Sequence, residues 1–261
     1  MKVAAANPDS PRAGTQSVER AFAVLKAVAA RQHAGASLAT LTEALRLNRS
    51  TTYRILKCLV EQGAVRFDDN LAGYVLGPLA LDLAIAAGDQ LSLKERASAI
   101  LGRVAAQTGD TVFLLLRSED DSVCIDRQSG SFPIKTLIVE VGTRRPLGVG
   151  SGTTAMLGAM TDEQCRQVTL RNSRRFPAFG TAPDAVLKAA ASARRLGYAA
   201  TPAVGVEGAS ALGVAILDSR REPVAALALA AIDRRMQRTR QKELVEILLK
   251  AADACGKALF P

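Results

Sequence analysis

The chain has 261 residues, enough for one large domain or two ordinary ones, and 48% of them are hydrophobic, which excludes global disorder. It carries 34 basic and 25 acidic residues, a formal net charge of +9, an excess that permits a polyanion partner without requiring one. Trp is absent and aromatics make up 4%, so the core has to be built from Ala, Leu, Val and Ile.

Residues 1–16 are polar, with two prolines and a glycine, and read as a disordered leader. The first helix starts at Ser17. Val18, Phe22, Leu25 and Ala29 share one face of it, Glu19 sits in its first turn, and Gly35 ends it. A short helix follows from Ser37 with Leu38, Leu41 and Leu45 inward. After the break Leu47-Asn48-Arg49, a third helix runs to Gln62, and Gly63 terminates it. Thr52, Ile55, Leu56 and Leu59 form its packing face. Ser50, Arg54, Lys57 and Glu61 form the opposite one, with Tyr53 at the margin. Short strands at 64–67 and 74–76 flank a turn rich in Asp, Asn and Gly. Three helices and a hairpin make a winged helix-turn-helix over 17–77.

An Ala/Leu-rich stretch from Pro78 reads as a linker helix over 78–90. The remainder, 91–261, reads as one α+β domain. Ser92-Leu93-Lys94-Glu95 is a capping box that opens a helix with Leu93, Ala97, Ile100, Leu101 and Val104 inward. Strands are expected at 111–116, 122–126 and 134–141. A glycine-rich loop over 142–150 leads into a helix at 151–160. Thr161-Asp162-Glu163-Gln164 is a second capping box, and a helix at 183–196 stops at Gly197. Apolar strands at 198–200, 211–217 and 224–230 suggest a central sheet. A final amphipathic helix turns Leu244, Ile247, Leu248, Ala251 and Cys255 inward.

The helix-turn-helix carries the sharpest functional signal. DNA reading needs a helix that offers its entry turns to the major groove and its other face to a small core. Arg49, Ser50, Thr51, Tyr53 and Arg54 supply hydroxyls, a ring and guanidinium groups at that entry. Lys57, one turn on, suits backbone phosphate. Arg66 on the wing suits phosphate or the minor groove. A helical core fragment with a solvated basic face is the competing reading.

Several stretches resemble the IclR family of transcriptional regulators. Ser17-Val18-Glu19-Arg20-Ala21, Asn48 through Leu56, and Glu61-Gln62-Gly63 look like the family's N-terminal domain. Gly77-Pro78-Leu79-Ala80-Leu81 fits its linker, and Arg145 through Gly152 resembles its effector-domain loop. Leu196-Gly197-Tyr198-Ala199 and Pro223-Val224-Ala225-Ala226-Leu227 match its C-terminal sheet. The resemblance implies a winged helix-turn-helix, a linker helix and a GAF-like effector domain. It also implies a homodimer or dimer of dimers on a palindromic double-stranded DNA operator, and a small organic acid as effector.

The N-terminus of the helix at Ser151 is the best anion-binding place, because its free N–H groups and dipole face the glycine-rich loop. The resemblance puts ligand-facing amides at Ser151 and Gly152, with Leu147, Gly148 and Gly150 in the loop beside them. It places the pocket's side-chain lining near Thr201, Ala211, Ala228 and Ala230. Three of these are alanines, which suits an aromatic or aliphatic acid better than a short keto-acid. A glycine-rich turn that only lets helix and sheet pack closely remains the alternative.

Other chemistry is poorly supplied. Cys58, Cys124, Cys165 and Cys255 are far apart and read as reduced thiols, Cys124 as a plain buried one. The one histidine, His33, reads as exposed, and no His-based triad or metal site can be built elsewhere without a second. Arg144-Arg145 and Arg174-Arg175 read as solvated surface or interface. Neither a metal nor a cofactor is expected, nor an enzyme. No stretch reaches the length of a membrane span, and a cytoplasmic protein is expected.

Overall fold

The computed structural model describes residues 15–32, 34–86 and 90–260. They fall into two units, Met1–Gly88 and Asp89–Pro261. The expected leader lies outside the described residues except at its last two positions. His33 and the side chain of Ser92 lie outside them as well.

In the first unit, α1 (Gln16–Ala29), α2 (Leu38–Leu45) and α3 (Arg49–Glu61) precede a hairpin of β1 (Val65–Asp68) and β2 (Gly73–Leu76), and α4 (Leu79–Ala86) follows. Local chemistry fixes the boundaries. Ser37 Oγ accepts from the Thr40 N–H at 3.1 Å, and Asn48 Oδ1 accepts from the Thr51 N–H at 2.7 Å, so both α2 and α3 begin on a side-chain cap. Between them Arg46 adopts φ 50°, the left-handed conformation that turns the chain sharply. Gly63, at φ +67°, lets the chain leave α3 toward the wing.

Val24, Val28, Leu41, Leu56 and Val65 form the core of this unit. The inward face of α1 therefore differs from the expected one. Val18 and Phe22 are 54% and 57% exposed, whereas Val24 and Val28 are fully buried. Apolar residues wrap more than half of α1, so periodicity supports two faces and tertiary packing selects one.

The second unit is built on an antiparallel six-stranded sheet in the order β5-β4-β3-β8-β7-β6. Its strands are β3 (Thr111–Ser118), β4 (Asp121–Ser129), β5 (Arg144–Pro146), β6 (Ala199–Pro202), β7 (Ala209–Leu217) and β8 (Pro223–Ile232). Alternation assigns the faces. Val112, Leu212, Val214, Leu227 and Leu229 point to a core with α5 (Gln90–Thr108) and α9 (Arg238–Leu259). Phe113, Leu115, Ala211, Ala226, Ala228 and Ala230 point the other way, toward α6 (Ser151–Ala159), α7 (Asp162–Asn172) and α8 (Pro183–Leu196). The capping box at Thr161 is formed in full, with reciprocal bonds of 3.2 and 2.9 Å to Gln164.

One expected strand is absent. Residues 134–141 make no ladder, and the strand that joins β4 is the short β5 further on. Ile134, Leu137 and Val141 are exposed, and only Thr136 and Val139 are buried. An apolar run without a consistent buried face does not hold a strand register.

Candidate functional site

In the first unit, the solvent face of α3 holds the expected DNA-contacting residues together. Arg49, Ser50, Tyr53, Arg54 and Lys57 are exposed, and Thr51 is half-buried. Thr52 and Leu56 are fully buried on the opposite face, so packing leaves the helix only one way to face. Some of these groups are already engaged. Ser50 Oγ donates to Asn48 Oδ1 at 2.9 Å, and Lys57 lies 3.9 Å from Glu61. On the wing, Arg66 donates to Asp68 at 2.8 Å, which holds the Asp68 carboxyl below its ordinary range. Arg49 and Arg54 make no ion pair among the described residues. Arg54 also borders a groove between α1 and α3 that Ser17, Arg20 and Cys58 line. Arg20 was not among the expected residues, since a lone arginine on the preceding helix carries no motif of its own.

The second unit holds a small cavity at the N-terminus of α6. Val149, Gly150, Ser151, Gly152 and Thr153 form one wall, Phe113, Leu115 and Ala228 the floor, and Ser122, Ile138, Val139, Thr143 and Arg145 the rest. Glycines set the geometry. A Cβ on Gly213 would lie 2.3 Å from the Ser151 carbonyl carbon and 2.4 Å from the Gly152 nitrogen, so the first turn of α6 rests directly on β7. Gly150 precedes the helix at φ +94° and lends its carbonyl to the Thr153 and Thr154 hydroxyls at 2.9 and 2.8 Å. The N–H groups of Ser151, Gly152 and Thr153 have no acceptor within the helix. Ser151 itself is 2% exposed, and its Oγ has no hydrogen-bond partner. The cavity encloses about 30 Å³, room for one water, so a larger occupant must push side chains aside.

Not all the residues expected here meet at this cavity. Leu147 is fully buried below the loop, and a Cβ on Gly148 would strike Val186. Thr201, Ala211 and Ala230 do not line it. Ala211 and Ala230 pair with each other across β7 and β8, packed in the core on the α6 side. Their small size fits the close approach of the helices to the sheet.

Arg145 corrects an expectation. It is half-buried on the cavity wall rather than solvated surface, and it donates to the Ile138 carbonyl at 2.7 Å. Burial pulls its guanidinium pKa below the ordinary value. Its position comes from β5, which sets Arg145 directly opposite Ser122 of β4. Its neighbour Arg144 is exposed and pairs with Asp121 at 3.3 Å. Cys124 is buried nearby, with its thiol pushed up to about 12 by desolvation, so it stays protonated and unreactive.

A capped recognition helix with a wing, followed by an α+β sensor-like unit, defines the class of one-component DNA-binding regulators. Family models place the chain within it. An IclR helix-turn-helix domain matches residues 17–69, and the bacterial transcriptional regulator IclR C-terminal domain matches residues 85–256. The chain belongs to the IclR family of transcriptional regulators and is not an enzyme.

It is similar to the HTH-type transcriptional repressor AllR of Salmonella paratyphi A, at 26% identity over 89% of this chain and 86% of that protein. Similarity to the transcriptional repressor IclR of Escherichia coli K12 is 24% over 91% and 87%. Among solved structures, an IclR regulator from Alicyclobacillus acidocaldarius has the same fold, with a TM-score of 0.74, 24% identity and coverage of 92% and 97%. An IclR homolog from Microbacterium hydrocarbonoxydans complexed with 4-hydroxybenzoate matches with a TM-score of 0.73 at 22% identity, covering 94% and 99%. Among the described residues, no helix is long and apolar enough to cross a membrane.

Proposed function

We propose that this regulator is a cytoplasmic repressor that α3 seats in the major groove of a palindromic operator, and that a small organic acid in the α6 cavity modulates its binding. Arg49 and Arg54, exposed and without an ion-pair partner among the described residues, read base edges or clamp phosphates at the groove. Ser50, Thr51 and Tyr53 position the backbone beside them, while Lys57 and Arg66 meet phosphates after giving up weak exposed pairs. The 4-hydroxybenzoate bound by the Microbacterium relative makes aromatic acids the first candidates for effector.

The observation that carries the effector reading is the Ser151 hydroxyl, buried and unpartnered at a helix N-terminus. Such a group is uncommon in a native fold; the Thr169 and Thr201 hydroxyls are also unpartnered, but of the three only Ser151 lines the cavity, where a ligand's polar atom would satisfy it. A homodimer, alone or paired into a dimer of dimers, is the proposed assembly. Val18 and Phe22 of α1 and Leu81, Leu83 and Ile85 of α4 support it, each more than half exposed.

A mobility-shift assay tests the reading, on DNA upstream of the gene and its neighbours, at stated salt, with and without an acid panel. A specific shift that acids weaken or strengthen is the expected result. A shift that no acid alters would reduce the second unit to an assembly module.

A further inference from the structure

Resting on that effector reading, we propose that Arg145 is the counter-ion of the α6 cavity, pairing with the ligand's carboxylate and restricting the site to anions. The helix N-terminus alone would favour negative charge only weakly. Here two further features converge on the same space. Ser151 offers a hydroxyl that is 2% exposed and has no partner. Arg145 brings a full positive charge onto the wall, and no carboxylate lies within ion-pair distance of it among the described residues. The nearby acidic side chains are already taken. Asp121 pairs with Arg144 and Arg175, and Glu140 pairs with Arg127 at 3.0 Å.

A half-buried guanidinium held only by one neutral carbonyl, that of Ile138, is under-neutralised. Arginine has five N–H donors in a planar fork that matches a carboxylate. A charge-assisted, two-pronged bond to a ligand is stronger than the single bond to a peptide oxygen. An acid entering the cavity would therefore share or displace the Ile138 contact. The remaining lone pairs of its two carboxylate oxygens would face Ser151 Oγ and the free N–H groups of α6. Phe113, Leu115 and Ala228 beneath give the rest of the molecule an apolar bed, which fits a flat or branched hydrocarbon body. The site thus selects for an acid at one end and carbon at the other, and a neutral molecule of the same shape leaves Arg145 unpaired.

Isothermal titration with 4-hydroxybenzoate and glyoxylate as acid probes, and 4-hydroxybenzamide as the neutral counterpart, tests this. The wild-type chain should bind 4-hydroxybenzoate at least tenfold more tightly than its amide. Arg145→Gln, checked for folding by its thermal melt, should lose that preference and bind the acid about a hundredfold more weakly. Arg145→Lys, which keeps the charge without the fork, should fall between. Equal affinity of the wild type for acid and amide would overturn the proposal, even if neither variant folded. Full acid affinity in Arg145→Gln would overturn it too, while leaving an effector pocket in place. Failure of every acid to bind the wild type would sink the effector reading and this inference together.

Discussion

Asp110 is the most constrained ionic residue in the second unit. Its carboxylate is 2% exposed and accepts from Arg235 at 2.8 Å and Arg240 at 2.6 Å. Arg235 also lies 4.0 Å above the Phe132 ring. The cluster ties the end of α5 to the start of α9, because both arginines also donate to the Thr108 carbonyl, at 3.0 and 2.7 Å. Asp110→Ala leaves two guanidinium groups facing each other with no anion. It should cost about 3 kcal/mol, the lower end for a broken buried pair, because both arginines keep some contact with water. Differential scanning calorimetry should show Tm lower by roughly 6–12 °C. A shift below about 2 °C would show that the arginines hydrate freely and the cluster contributes little.

Asp120 shows the opposite case, an ion pair at the surface. Arg171 grips it with bonds of 2.6 and 2.8 Å and holds its carboxyl below the ordinary 3.8. A depressed carboxylate stabilises the fold above its unfolded pKa, and that contribution disappears as pH falls through the folded value. Arg171 is 55% exposed, so solvent limits the effect to less than about 1 kcal/mol. Melts of wild type and Asp120→Asn should therefore differ slightly at pH 7 and converge only in acid, once the pH falls below the depressed folded value. A gap that widens in acid would refute the assignment. On the DNA face, Arg54→Ala should weaken operator affinity by about 1–3 kcal/mol if Arg54 reads a base. A change confined to the salt slope of a titration would move it to phosphate instead.

Among elements, α6 is the one whose position decides the site. Its first turn lies against β7 because position 213 has no side chain. Gly213→Ala would drive a methyl into the backbone of Ser151 and Gly152, which cannot swing aside as a side chain can. The expected cost is about 3 kcal/mol, together with loss of acid binding, because the N–H groups are pushed off the cavity. Gly180→Ala is the control. It has φ +67° but open space around it, so it should cost only about 1 kcal/mol and leave acid binding intact. Equal acid affinity in both variants would remove α6 from the site.

These elements also separate what sequence encodes locally from what it does not. The helix starts at Ser37 and at Asn48 or Arg49, the capping box at Thr161 and the stops at Gly63 and Gly197 are chemistry within a few residues, and each stands where the pattern puts it. The inward face of α1 is not local, since Phe22 and Val24 are equally apolar and only α2 and α3 choose between them. Arg145 is the plainest case. Its neighbours in sequence make it half of a charged dipeptide. Only the pairing of β5 with β4, opposite Ser122, turns it toward the cavity.

At the scale of the whole molecule, charge and apolar surface bear on one another. Residues 1–80 hold 10 of the 34 basic and 6 of the 25 acidic residues, so one copy offers DNA only a modest excess. In the proposed dimer, two copies reading two half-sites would double that excess. The apolar residues that α1 and α4 leave in water are the surface proposed to bring them together. The described residues of α4 include no buried one, and Leu81, Leu83 and Ile85 are each about 60% exposed. A stripe of large apolar side chains left in water favours cover by a partner surface. A second copy supplies one by symmetry. Replacing Leu83 and Ile85 together by Glu should convert the proposed dimer to a monomer in sedimentation equilibrium while leaving the α3 face unchanged. The monomer should bind the palindrome with about half the salt slope of the dimer, since the slope counts phosphates neutralised. An unchanged slope in a protein that sediments as a monomer would mean that one copy makes all the phosphate contacts, and the apolar stripe on α4 would need another explanation.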